Sequence, residues 1–197
     1  MSTRTEIENL TGFYYITFTC YKWIPMFSEL NFYDRIYHYF TKLIEKGETI
    51  SAYVIMPNHL HFIMFHEEET GKLKSLVSNL KRFLAYEIVE KYKSTFNHSR
   101  LAQLSEAITE VERKKNQLHR VFENSFDVKW CASEKFIIQK LNYIHNNPIQ
   151  PKWNLATIPS EYFHSSALFY ETGNLESAKI PLVHWQQRRW QEYDKEH

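Results

Sequence analysis

The chain is short of the residues that staple or punctuate a fold: its 197 residues include 2 cysteines, 4 glycines and 6 prolines. Cys20 and Cys131 lie far apart in sequence with no CxxC partner, which excludes a disulfide scaffold and a cysteine-built metal cluster and fits a reducing compartment. Both are expected as small buried apolar side chains. So little glycine and proline excludes collagen-like and low-complexity chains. No window approaches the roughly 18 consecutive apolar residues of a membrane span, and MSTRTEIENLTG at the start lacks the apolar stretch of a signal peptide, so a cytoplasmic protein is expected. Net charge is missing too, since 24 Lys and Arg against 23 Asp and Glu leave +1.

Aromatic residues, by contrast, make up 16% of the chain, which is the mark of a sequence with a core to bury. The basic charge is also segregated. Residues 1–70 hold 5 basic and 9 acidic side chains, whereas 71–100 hold 7 and 2, and 113–153 hold 8 and 3. A phosphate-tracking face would show this pattern, and so would an ordinary solvated helix face.

Residues 13–21, FYYITFTCY, are dense in aromatic and β-branched types on both faces and read as a central strand. Apolar positions from Leu30 to Ile44 recur at three and four, which predicts an amphipathic helix over 29–46, capped by Ser28 and stopped at Gly47. ISAYVIM (50–56) and HLHFIMF (59–65) read as two strands joined by a tight turn at Pro57 and Asn58. A second helix, rich in Lys and Arg, is predicted over 73–92. Residues 94–118 are polar and receive no assignment. A last strand is expected over 121–130 and a helix over 134–146, stopped by Pro148. The Trp- and Tyr-rich tail is expected to wrap over the domain. This order implies an α+β domain of the ferredoxin-like split βαβ plan, with a mainly antiparallel sheet and its helices on one side.

Two segments carry chemistry. In His59-Leu60-His61 the period of two puts both imidazoles on one face of a strand, where they can share a divalent ion if a third ligand comes from elsewhere. In LNYIHNNP (141–148), Tyr143 and Asn147 stand four apart and so share a helix face. A pair of internally satisfied histidines, and a packed tyrosine with Asn147 as a helix stop, are the structural alternatives.

MPNHLHFIM (56–64) together with QKLNYIHNNPIQPKW (139–153) resembles the Y1-type HUH transposases, most closely the REP-associated tyrosine transposases. Smaller echoes are YKWIPMF (21–27), SNLKRF (78–83) and EYFHSSALFY (161–170). Phe122 stands where this family often has a tryptophan. The resemblance implies a catalytic domain over 1–153, with 154–197 as a tail that packs on it or contacts DNA. It further implies that His59, His61 and Asn147 hold Mg2+ or Mn2+ and that Tyr143 is the nucleophile. The implied activity is metal-dependent cleavage and strand transfer of single-stranded DNA at or beside REP-like hairpins through a 5′-phosphotyrosine, by a monomer rather than a dimer. The alternative is a hairpin-binding protein of the same fold that does not cut. Lys81, Arg82, Lys74 and Lys140 are the expected phosphate contacts, and the tail residues Trp153, Trp185, Arg188, Arg189 and Trp190 either stack on DNA or close the core over the sheet, the second being expected more of Trp153 and Tyr162 than of 185–189.

Overall fold

Strands β1 (Gly12–Thr19) and β3 (His59–His66) form the centre of a four-stranded antiparallel sheet of order β2-β3-β1-β4, completed by β2 (Thr49–Ile55) and β4 (Asp127–Trp130). The computed structural model describes residues 10–123 and 127–188. Its helices are α1 (Met26–Glu29), α2 (Tyr33–Ile44), α3 (Leu73–Ser94), α4 (His98–Glu106), α5 (Glu110–Arg113), α6 (Glu134–Asn146) and α7 (Ala167–Thr172). The order β1-α2-β2-β3-α3-β4 is the split βαβ plan.

Because side chains alternate across a strand, the sheet has two apolar layers. Tyr14, Ile16 and Phe18 of β1 and Leu60, Phe62 and Met64 of β3 pack with Ile36 and Phe40 of α2 and Leu80, Leu84 and Ile88 of α3. The opposite layer holds Phe13, Tyr15, Ile63 and Phe65 with Ile137 and Ile144 of α6. Helices α2 and α3 thus share one face, while α6 lies on the other and covers the histidine pair. In β2 a register shift between Ile50 and Ala52 inserts Ser51 as a bulge. It reverses the alternation, so Ile50 and Tyr53 join one layer and Ala52 and Val54 the other.

The helix expected over 29–46 is divided. Asn31 has φ 48°, a conformation no helix continues through. It separates α1 from α2, and no side chain caps α2. Gly47, at φ 94°, ends the segment as expected. The unassigned stretch 94–118 folds into α4, capped by Asn97, and α5, opened by a Thr109–Glu112 capping box. Leu104 and Ile108 are buried, and ion pairs Arg100–Glu29 and Arg120–Glu112 tie the stretch down.

Of the strand expected over 121–130, β4 supplies 127–130, Phe122 forms an isolated bridge with Cys20, and 124–126 lie outside the described residues. The segment after α6 covers the outer edge of β2. Ile55 N–H donates to the His164 carbonyl (2.8 Å), Ser166 N–H to that of Tyr53 (3.0 Å) and Val183 N–H to that of Ile50 (3.2 Å). Tyr162 and Tyr170 donate to the carbonyls of Ile55 and Ser51. An edge strand that would otherwise invite pairing is thereby closed. Trp185 is part of the core on the α6 side, and Arg188 pairs with Glu67 and lies over Phe65. Among the tail residues proposed from sequence to meet DNA, Trp185 is therefore a buried anchor, while Arg189 and Trp190 lie outside the described residues.

Candidate functional site

A match of repeats brings the site together. Two residues of β3 advance about 6.6 Å and four residues of a helix about 6 Å, so when α6 runs along β3, Tyr143 and Asn147 fall in step with His61 and His59. The Tyr143 ring lies 5.2 Å from that of His61, and the Asn147 side chain adjoins His59. The His59 and His61 rings are 4.8 Å apart. Ser133 caps α6 through the Phe136 N–H, and Ile137 and Ile144 anchor it, which sets the helix in this register.

Both histidines are buried, and each has its Nδ1 engaged. His59 Nδ1 lies 2.7 Å from Asn58 Oδ1, and His61 Nδ1 lies 2.7 Å from the Tyr15 hydroxyl. When Nδ1–H donates to these oxygens, the Nε2 lone pairs face the α6 side, the tautomer a metal ligand requires. His61 Nε2 and Asn147 Oδ1 are buried and find no hydrogen-bond partner among the described residues. A buried polar atom without a partner is costly, and a hard cation would satisfy both. Burial pushes His59 down to about 4, with Asn147 opposing and Lys152 adding to the shift. Burial also holds His61 well below its usual range, helped by His59, Lys140 and Lys152. Both imidazoles are neutral at pH 7, as ligands must be. The donor set of two imidazoles and an amide oxygen fits a divalent ion with open positions. Among the described residues no three His, Cys, Asp or Glu side chains converge, so the third donor here is the amide.

Tyr143 is 42% exposed beside this pair. Its ring also meets Tyr15 edge to face at 6.4 Å. Lys140, one turn earlier on α6, sets its ammonium 4.6 Å from the Tyr15 ring centre and 5.8 Å from that of Tyr143. An anion attacked by the phenol would lie next to that charge.

The other expected phosphate contacts are elsewhere. Lys74, Lys81 and Arg82 sit on α3, the helix that packs on the opposite layer of the sheet. Lys81 is directed inward, donating to the Glu123 carbonyl over the rings of Phe18 and Phe122. Arg82 reaches Asn79 and the Phe83 ring. Lys81 and Arg82 line a cavity of about 580 Å³ with Tyr86, Lys93 and His119. His145 turns away from the pair to Ser166 (2.9 Å) and is a buried structural residue. Sequence reasoning missed Tyr15 and Asn58, which orient the histidines, and Lys152 and Trp23, which flank His59. Their sequence signal is weak because strand pairing and loop packing bring them to the site.

No family model matches the chain. A curated protein of Haemophilus influenzae, described as uncharacterized, is 30% identical over 100 residues, which is 51% of this chain and 54% of that protein. The chain thus spans about half the length of the curated relative it matches. A solved structure, of a REP-associated tyrosine transposase bound to a REP hairpin, superposes with a TM-score of 0.59 at 14% identity, over 93% of this chain and 92% of that one. A candidate transposase from Deinococcus radiodurans gives 0.42 at 16% identity, over 74% and 96%. The chain has the fold of a REP-associated tyrosine transposase, and the histidine pair and tyrosine of the sequence resemblance meet at one place on that fold.

Proposed function

We propose that the protein is a metal-dependent endonuclease and strand transferase for single-stranded DNA, acting at or beside hairpins through a 5′-phosphotyrosine on Tyr143. The observation that carries this reading is the meeting of Tyr143, from α6, and Asn147, which caps that helix, with His59 and His61, from β3, where buried His61 Nε2 and Asn147 Oδ1 lack partners among the described residues. A Mg2+ or Mn2+ ion held by His59, His61 and Asn147 would supply Lewis-acid polarisation of a phosphoryl oxygen.

The chain's own residues account for the rest. The Tyr143 oxygen forms a bond to phosphorus as the bond from phosphorus to the 3′-oxygen breaks. The phenol proton is lost to solvent and the leaving 3′-oxygen gains one. The exchange of one phosphoester for another needs no oxidant and no nucleotide cofactor, and a second 3′-hydroxyl can reverse it. Lys140 adds positive charge beside the phenol, where the phosphate would bind. The open position of Tyr143 suits a single strand laid along the exposed face of α6, whereas a phosphate within a regular duplex is held away by its neighbours. Since one chain contributes the histidines, the amide and the tyrosine, a monomer is expected to suffice.

The test is a denaturing gel for a covalent protein–DNA adduct, with wild type and Tyr143→Phe, Mn2+, and a pool of random single strands flanking a hairpin. An adduct that needs both Tyr143 and the ion supports the reading. Hairpin binding without any adduct would favour the protein that binds and does not cut.

A further inference from the structure

Trp23 stands at the His59 end of the site and is 52% exposed. It and Lys22 both adopt left-handed backbone, φ 58° and 50°, which is uncommon and costly for residues with a Cβ. Packing holds this conformation. Asn58 Nδ2 donates to the Trp23 carbonyl (2.7 Å), and Trp23 N–H donates to that of Cys20 (3.0 Å). Asn58 also orients His59 through its Oδ1, so one side chain fixes the histidine and the tryptophan together. The Trp23 ring lies 5.4 Å from His59 and 6.3 Å from Trp153, and the Lys152 ammonium lies 5.7 Å and 5.1 Å from the two indole rings. An indole held in a strained loop, open to solvent and accompanied by a cation, is suited to stacking a base and meeting its phosphate.

The order of groups gives this subsite a polarity. Tyr143 adjoins His61, and Trp23 adjoins His59. In-line displacement at phosphorus places the leaving oxygen opposite the attacking one. Attack by Tyr143 expels the 3′-oxygen of the nucleotide on the 5′ side of the cleaved bond, so that nucleotide lies toward His59 and Trp23. We infer that Trp23, with Lys152, stacks the base 5′ of the cleaved phosphate and retains the freed 3′-hydroxyl for the reverse, joining step. The inference rests on the reading in the preceding section and adds a subsite and a direction for the strand.

The test measures single-turnover adduct formation and rejoining in Mn2+ on three strands: intact, abasic on the 5′ side of the cleaved phosphate, and abasic on the 3′ side. Loss of one stacked base is expected to slow wild type about 10-fold on the 5′-abasic strand. Trp23→Ala should show the same loss on the intact strand and no further loss on the 5′-abasic one, while Trp23→Phe keeps most of the rate. Thermal melting with and without Mn2+ checks that Trp23→Ala retains the fold and the ion site. Losses from Trp23→Ala and the 5′-abasic strand that multiply, or coupling to the 3′-abasic strand instead, would overturn the subsite and leave the Tyr143 reading standing. Absence of a Tyr143 adduct in wild type would remove that reading and the subsite with it.

Discussion

The Tyr15 hydroxyl lies 2.7 Å from His61 Nδ1, and the two rings stack at 5.6 Å with 18° between their planes. They come from neighbouring strands: β1 and β3 pair Tyr15 with Ile63 and Thr17 with His61, so the contact is a diagonal one across the ladder. It holds in place the ring of a residue whose Nε2 is buried without a partner among the described residues. Tyr15→Phe keeps the packing and removes the hydroxyl. Its expected cost in stability is about 1 kcal/mol, and its expected cost in Mn2+ affinity is roughly 10- to 100-fold, as for other partners that orient a metal-binding histidine. Isothermal titration with Mn2+ checks this, and unchanged affinity would show that the hydroxyl has no such role.

An ion that binds only the folded state raises its stability. With Mn2+ at about 100 times its dissociation constant the gain is about 2.7 kcal/mol, which for a chain of this size is a rise in melting temperature of roughly 5–10 °C. His61→Ala and Asn147→Ala should each melt without that rise. Scanning fluorimetry with and without Mn2+ decides it, and equal melting of wild type in both would mean that the two histidines are structural.

Much of this arrangement is legible in the residues themselves. The Pro57-Asn58 turn and the HLH alternation give the hairpin and the shared face of the histidines, and α6 begins and ends where its spacing and Pro148 imply. The sheet order and the packing of α2 and α3 on one face follow from the split βαβ plan. That α6 crosses to the other face is a tertiary fact, since the apolar stripe of a helix does not say which layer it will cover. The two short helices in 94–118 did have a local signal, the TEVE capping box at 109–112, within a stretch too polar to show a period. The left-handed backbone at Trp23 had none, and at Asn31 only the mild preference of asparagine for that region. Lys81 illustrates a further limit: a lysine in a basic run reads as solvated, yet the fold turns it inward to the Glu123 carbonyl.

That inward lysine has a consequence for pH. Burial lowers the Lys81 amine to about 8 from its ordinary 10.5, against the opposing influence of Glu123 and Cys20. Between these values the unfolded chain binds more protons at this residue than the folded one, so this group makes stability rise with pH from about 8 to 10.5. A full shift of this size corresponds to about 3 kcal/mol, taken as an upper bound. Urea unfolding of wild type and Lys81→Met across pH 7.5–10.5 isolates the group, because the other titrations are common to both. The gap between the two proteins should move in favour of wild type as pH rises. A gap that stays constant would mean that Lys81 keeps its ordinary proton affinity in the fold.

The most direct test of Tyr143 as the attacking group is to ask which end of a cut strand the protein keeps. Single strands beside a hairpin, labelled at the 5′ or the 3′ end, are incubated with Mn2+ and wild-type protein, and the covalent species is digested and its modified peptide sequenced. The account predicts that the 3′-labelled portion stays on the protein at Tyr143, and that the 5′-labelled portion is released with a 3′-hydroxyl a polymerase can extend. Retention of the 5′-labelled portion, attachment at another residue, or cleavage undiminished in Tyr143→Phe would contradict it.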